Sequence, residues 1–257
     1  MIVFDFGDGR GDTPVHLHAN GGGTVADSAW VAPDASIGQG ARIGERASIE
    51  QRASIEQGAR IGRGATIGQG ARIGERASIG RGATIGQGAR IGERASIGRG
   101  ATIEQDAFIE QDAIIGEGAR IGQGASIGER ASIGRDASIG EGARIGQGVR
   151  IEQGAIIEPG AIIRATNQVL VLSPVGSHNG SLTVMFEQDC AGSILLTRGC
   201  FTGTLLEFAA AVEAQHGSGS YGEEYRAIIT MVRAMAAARF PGAPAPAVAD
   251  ATGGEVR

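Results

Sequence analysis

Four histidines and two cysteines are the residues of this 257-residue chain best suited to proton transfer, metal binding or nucleophilic attack. His16 and His18 stand two apart in TPVHLHAN, so an extended segment points both to one side, and Asp12 or Asn20 could complete a metal site. The other use of the pair is a hydrogen-bonded cap. Cys200, in RGCFTGT, falls between a strand and a helix start, where a helix N-terminus lowers a thiol pKa. His216 or His178 would then serve as its base. The competing reading of Cys200 is a small buried thiol packed at the strand–helix junction. Cys190 is the second cysteine, and two cysteines make no disulfide framework.

The elements that must position these groups announce themselves by repetition. Residues 61–78 and 79–96 are one eighteen-residue string written twice, and a shorter period of six runs inside it. From Ile37 to Ile163 an isoleucine stands at every sixth position, with Val25 and Val31 extending the register backward. Alanine follows four residues later from Ala29 to Ala161, with Val149 the single exception. Period six suits neither a 3.6-residue helix nor a long flat strand. It suits short strands joined by tight corners, with isoleucine buried and alanine filling a space too small for more. Three such sides make one turn of a triangular prism, so residue n stacks on n+18.

The unit I-[G/E]-x-x-A-x resembles the hexapeptide-repeat family, whose fold is a left-handed parallel β-helix. The left hand is what the resemblance implies, since the general crossover rule favours the right. The expected fold is mainly β: about eight coils over residues 25–164, a rod of roughly 37 Å. A small α+β domain over 165–240 follows. Residues 1–24 are expected to cap the first coil and 241–257 to form a disordered tail. In the α+β domain VLVL (169–172), SLTVMF (181–186) and SILLT (193–197) read as three strands. Thr204 with Glu207, and Ser220 with Glu223, read as capping boxes for two helices, the first stopped by Gly217 and the second by Pro241.

Enzymes of that family include acyltransferases with a histidine base on or beside the prism, and carbonic anhydrases with three histidines on zinc. None of the four histidines lies within 25–164, and no loop interrupts the hexads. Neither mechanism then has its parts. The opening GRGDTPVHLHANGGGTVADSAWV and the ending VGSHNGSLTV…GCFTGTLLEFAAAVEAQH…EYRAII also resemble uncharacterised β-helix proteins of phages and prophages. That group carries arginine where His178 stands, which weighs against a catalytic His178.

Surface composition adds further expectations. Thr66, Thr84 and Thr102 form one column between Ser48 and Arg120, too narrow for an ice-binding face and best read as β-friendly residues. Residues 31–102 hold 11 arginines against six acidic residues, a charge of +5; residues 103–164 hold six against ten, a charge of −4. Arg63, Arg81 and Arg99 stack eighteen apart on one corner, with Glu75 and Glu93 on another. A parallel homotrimer would set Arg63 against Glu75, and Arg81 against Glu93, of the next chain. The alternative is that Arg76 and Arg94 neutralise those glutamates locally and the arginine column is solvated or binds an anion. Phe108, Ile114, Ile156 and Ile162 occupy outward positions that elsewhere carry Ser, Thr or Arg, and the last two are expected to lie under the C-terminal domain. A net charge of −5 gives no strong nucleic-acid signal, and no stretch reaches membrane-span length. No signal peptide, cofactor or metal is expected, and the location is expected to be the host cytoplasm or a virion. The function these features favour is a non-enzymatic scaffold that oligomerises and presents a C-terminal recognition domain to a protein or small-molecule partner. The alternatives are an acyltransferase-like enzyme, a thiol-dependent activity at Cys200, or a binder of a small anion between protomers.

Overall fold

The computed structural model describes residues 2–7, 9–186 and 194–239. Each hexad is a two-residue strand and a tight turn. After the β1 (Ile2–Asp5) and β2 (Asp12–Leu17) hairpin, twenty-four short strands run from β3 (Thr24–Ala26) to β26 (Ile162–Ile163). Successive strands fall on three sheets in rotation, so each pairs in parallel with the strand eighteen residues on; Thr66, Thr84 and Thr102 stand in register in this way. The isoleucines of the ladder are all buried, as are the alanines from Ala32 to Ala155. Burying each isoleucine contributes about 1.5–3 kcal/mol.

One turn shows why the hexad reads as it does. Gly98, Arg99, Gly100 and Ala101 form a turn closed by Ala101 N donating to Gly98 O at 3.3 Å. The third residue, Gly100, takes φ +65°, as a type II turn demands. Arginine or aspartate takes that left-handed place in other coils, as at Arg94 and Asp112. Gly98, the first residue, lies so close to the next coil that an added Cβ would stand 2.5 Å from Glu117 N. At Glu50, Glu104 and Glu110, where the hexad carries glutamate at this place, the carboxylate turns to the next coil. Gln69 N donates to Glu50 Oε2 at 3.0 Å, and Gln123 N to Glu104 Oε2 at 3.1 Å.

The N-terminal segment does more than cover an end. β1 pairs antiparallel with β2, and β2 with β3, which pairs parallel with β6 (Arg42–Ile43). The hairpin therefore extends one prism sheet to ten strands, in the order β1-β2-β3-β6-β9 (Arg60–Ile61)-β12 (Ser78–Ile79) and onward.

Residues 2–166 belong to one compact unit, and the described residues from Asn167 onward to a second. The second is a four-stranded antiparallel sheet, β27 (Val169–Val175), β28 (Gly180–Phe186), β29 (Ile194–Arg198) and β30 (Phe201–Thr204), with two helices, α1 (Leu205–His216) and α2 (Ser220–Arg239). Leu182, Val184, Leu196, Phe208, Tyr225 and Val232 centre its core. The Thr204–Glu207 capping box is formed: Glu207 N donates to Thr204 Oγ1 and Thr204 N to Glu207 Oε2. Gly217 caps α1 at positive φ. At α2, Ser220 is the first helical residue, and Glu223 N donates to the carbonyl of Gly219. A fourth strand, β30, replaces the direct strand-to-helix junction expected at RGCFTGT. Cys190, Pro241 and the 241–257 tail lie outside the described residues.

Candidate functional site

His16 and His18 part company in the structure. His16 Nδ1 lies 2.9 Å from Asp27 Oδ1, while His18 Nδ1 lies 3.2 Å from the carbonyl oxygen of Asn20. Asp27 was not among the partners expected for His16. It arrives because the β2–β3 register sets Val15 opposite Ala26, the residue before Asp27. With Nδ1 engaged by a carboxylate, Nε2 is the ring nitrogen left to act on another group, and His16 is exposed. Among the described residues no group of three His, Cys, Asp or Glu side chains could hold a metal ion.

The same ten-stranded sheet carries a groove of about 210 Å³. Arg42 and Arg60, in register on β6 and β9, form one side; Arg63 and Arg81, on the adjoining corner, form the other; Phe6 and Glu45 complete the lining. Glu45 is already engaged, accepting from Thr13 Oγ1 at 3.4 Å and lying 3.6 Å from Arg10 Nη1. Among the described residues Arg42, Arg60 and Arg81 form no ion pair with a carboxylate. The Arg42 guanidinium lies 4.7 Å from the Phe4 ring centroid, a cation–π contact.

Local pairing accounts for the other charges named from the sequence. Glu75 pairs with Arg76 at 3.4 Å and Glu93 with Arg94 at 2.6 Å. Arg99 meets Glu117 of the next coil at 3.1 Å, so the corner column divides. Arg63 and Arg81 face the groove, and Arg99 does not line it.

Cys200 is neither buried nor at a helix N-terminus. It is exposed in the turn between β29 and β30, with the α1 N-cap at Thr204. Among the described residues no hydrogen bond joins Cys200 to His216 or His178. The His216 ring packs on Tyr225 at 5.4 Å and Tyr221 at 6.2 Å, and His178 Nδ1 lies 3.0 Å from Ser177 Oγ. Both the buried-thiol and the activated-thiol readings of Cys200 are corrected accordingly. Phe108 is 40% and Ile114 54% exposed, on adjacent faces of one coil; Ile162 is exposed and Ile156 half-buried. Among the described residues no helix is long and apolar enough to cross a membrane.

The comparisons with known proteins bear on the same coils. Residues 40–75 match the family described as "Bacterial transferase hexapeptide (six repeats)", and residues 61–127 match "GMPPB C-terminal domain". No curated protein sequence matches the chain. Among similar solved structures is a UDP-N-acetylglucosamine acyltransferase, 21% identical with a TM-score of 0.33, over 54% of this chain and 66% of that one. Another is the perosamine N-acetyltransferase of Caulobacter crescentus in complex with CoA and GDP-perosamine, 19% identical, TM-score 0.33, over 53% of this chain and 52% of that one. A third, the UDP-N-acetylglucosamine acyltransferase of Campylobacter jejuni, is 17% identical with a TM-score of 0.35, over 79% and 82%. This chain therefore spans about two thirds and half of the first two. The match to a bacterial transferase hexapeptide family over residues 40–75, in coils that carry the groove, overturns the expectation of a non-enzymatic scaffold presenting a recognition domain. Repeat, turn chemistry and family match converge on one assignment: the chain is a hexapeptide-repeat protein built on a left-handed β-helix of about eight turns, with a small C-terminal α+β region.

Proposed function

We propose that the chain is an acyltransferase-like hexapeptide-repeat enzyme that moves an acyl group from a thioester donor to an amine or hydroxyl of a sugar-bearing acceptor. The observation that carries the reading is the His16–Asp27 pair, an exposed histidine held through one ring nitrogen by a carboxylate. It stands on the same sheet as the arginine groove. That is the base-and-orienter arrangement that nucleophile activation needs. His16 Nε2 takes the acceptor's proton as its oxygen or nitrogen attacks the thioester carbonyl; the C–S bond breaks and the thiolate leaves. The bacterial transferase hexapeptide family matched over residues 40–75 supports the reaction class. The test is release of free thiol from acyl-CoA in the presence of sugar nucleotides, with His16→Ala and Asp27→Asn as variants. Loss of turnover in His16→Ala with a smaller loss in Asp27→Asn supports the reading. Turnover unchanged in His16→Ala, or absent from the native protein across acyl-chain lengths, overturns it.

We infer in addition a parallel homotrimer, in which the exposed Phe108 and Ile114 of each chain stand at a common height. Their exposure on two faces of one coil supports that contact.

A further inference from the structure

The four groove arginines come from two different columns of the prism, and their convergence is the feature the transfer reaction leaves unexplained. Arg42 and Arg60 rise one above the other on a sheet face; Arg63 and Arg81 rise on the corner beside them. Stacked coils hold each pair one strand spacing apart, so like charges are forced together by the covalent repeat. At several other places on the prism the chain answers its arginines from within, though Arg72 and Arg90 have no carboxylate partner among the described residues. Arg94 pairs with Glu93 and Asp112, Arg99 with Glu117, and Arg130 with Glu129. Among the described residues the one carboxylate lining the groove, Glu45, is turned toward Thr13 and Arg10, and Arg42, Arg60 and Arg81 have no carboxylate partner. The floor contributes glycine rather than bulk, at Gly44, Gly62 and Gly80, and Phe6 of the N-terminal hairpin forms a wall.

We infer that this groove is a binding site for a diphosphate-bearing ligand. A guanidinium presents a planar fork of donors matched to phosphate oxygens, and two rows of guanidiniums offer more donors than one phosphate group accepts. Two linked phosphate groups bridge the rows, one set by the Arg42–Arg60 side and one by the Arg63–Arg81 side. The site requires no group from a second chain. It stands on the groove alone and is independent of the base at His16.

The test is isothermal titration of the full chain with inorganic pyrophosphate and, separately, orthophosphate at low salt. The variants are Arg60→Gln with Arg81→Gln, and Arg72→Gln with Arg90→Gln. Arg72 and Arg90 are an equally stacked arginine pair on another sheet and do not line the groove, so they control for general charge. The expected result is saturable pyrophosphate binding tighter than orthophosphate binding, weakened about tenfold or more in the groove variant and retained in the control. Thermal melts of both variants show whether the prism is intact. Four results overturn the inference: no pyrophosphate binding by the native chain, equal losses in the two variants, orthophosphate bound as tightly as pyrophosphate, or an intact groove variant that binds as the native chain does. Failure of the thiol-release assay with pyrophosphate binding preserved would remove the proposed reaction and leave this site standing.

Discussion

Arg94 grips Asp112 from the coil below it, Nε to Oδ1 at 2.7 Å and Nη2 to Oδ2 at 3.0 Å, while its third nitrogen reaches Glu93. Both residues occupy the left-handed place in their turns, φ 55° and 58°, so the pair ties two otherwise strained corners together. The hydrogen bond from Arg94 holds the Asp112 carboxyl below the usual aspartate range. A lowered folded-state pKa means stability that is present above the unfolded value and lost as pH falls through the folded one. The native protein is therefore expected to lose part of its thermal stability on acidification, below the ordinary aspartate range. Asp112→Asn keeps a residue tolerant of positive φ and removes the charge. Its melting temperature is expected to vary less with pH there. An identical profile for the two proteins would show that this exposed pair contributes nothing, a common result for surface ion pairs.

Gly100→Ala isolates backbone strain from steric overlap. At φ +65° an added Cβ at Gly100 meets nothing within 4 Å, so its cost is that of the left-handed conformation, about 1–2 kcal/mol. Gly98, two residues earlier, has the next coil's backbone 2.5 Å from the same added atom. Urea unfolding is expected to rank Gly98→Ala as the more destabilising change. A neutral Gly100→Ala would mean that the turn relaxes out of type II.

Cys200 is exposed in a hairpin turn, with no hydrogen bond among the described residues. Cys200→Ser is expected to change stability by no more than about 0.5 kcal/mol and to leave thiol-release activity intact. Reaction of the native protein with a thiol reagent should label Cys200 without unfolding. Loss of turnover in Cys200→Ser would restore the thiol to the mechanism.

The prism was legible because its core is local. One isoleucine and one alanine per hexad decide the buried layer, and the eighteen-residue identity decides which residues stack. The cap on α1 was legible for the same reason, since Thr204 and Glu207 need only each other. What escaped was whatever depends on pairing across the register. Asp27 reaches His16 through an antiparallel strand eleven residues back, outside the hexads; residues 25–164 contain no histidine, although His16 stands on a strand of the prism's own sheet. The groove is not legible from the eighteen-residue spacing, because that spacing links Arg63 only to Arg81 and Arg42 only to Arg60, and the groove joins the two columns. Cys200 was misplaced because the four-residue strand β30 follows it where a helix start was expected.

The assembly is the remaining expectation that the structure sharpens. Phe108 stands between Arg90 and Ser126 on its sheet, and Ile114 between Ser96 and Ser132 on another, so the apolar surface is one coil tall. A parallel ring places that coil of every chain at the same height, which lets a single coil serve as a belt. The charged corners are expected to contribute less to such a ring, because Glu75 and Glu93 already have Arg76 and Arg94 beside them. Phe108→Ser with Ile114→Ser is expected to lower the sedimentation coefficient from trimer toward monomer without changing the β-sheet signal in circular dichroism. Arg63→Glu with Arg81→Glu is expected to give a smaller shift, restored by adding Glu75→Arg and Glu93→Arg. A trimer unmoved by the apolar pair would place the contact elsewhere on the prism. A monomeric native protein would remove the ring altogether and leave Phe108 and Ile114 as solvent-facing residues.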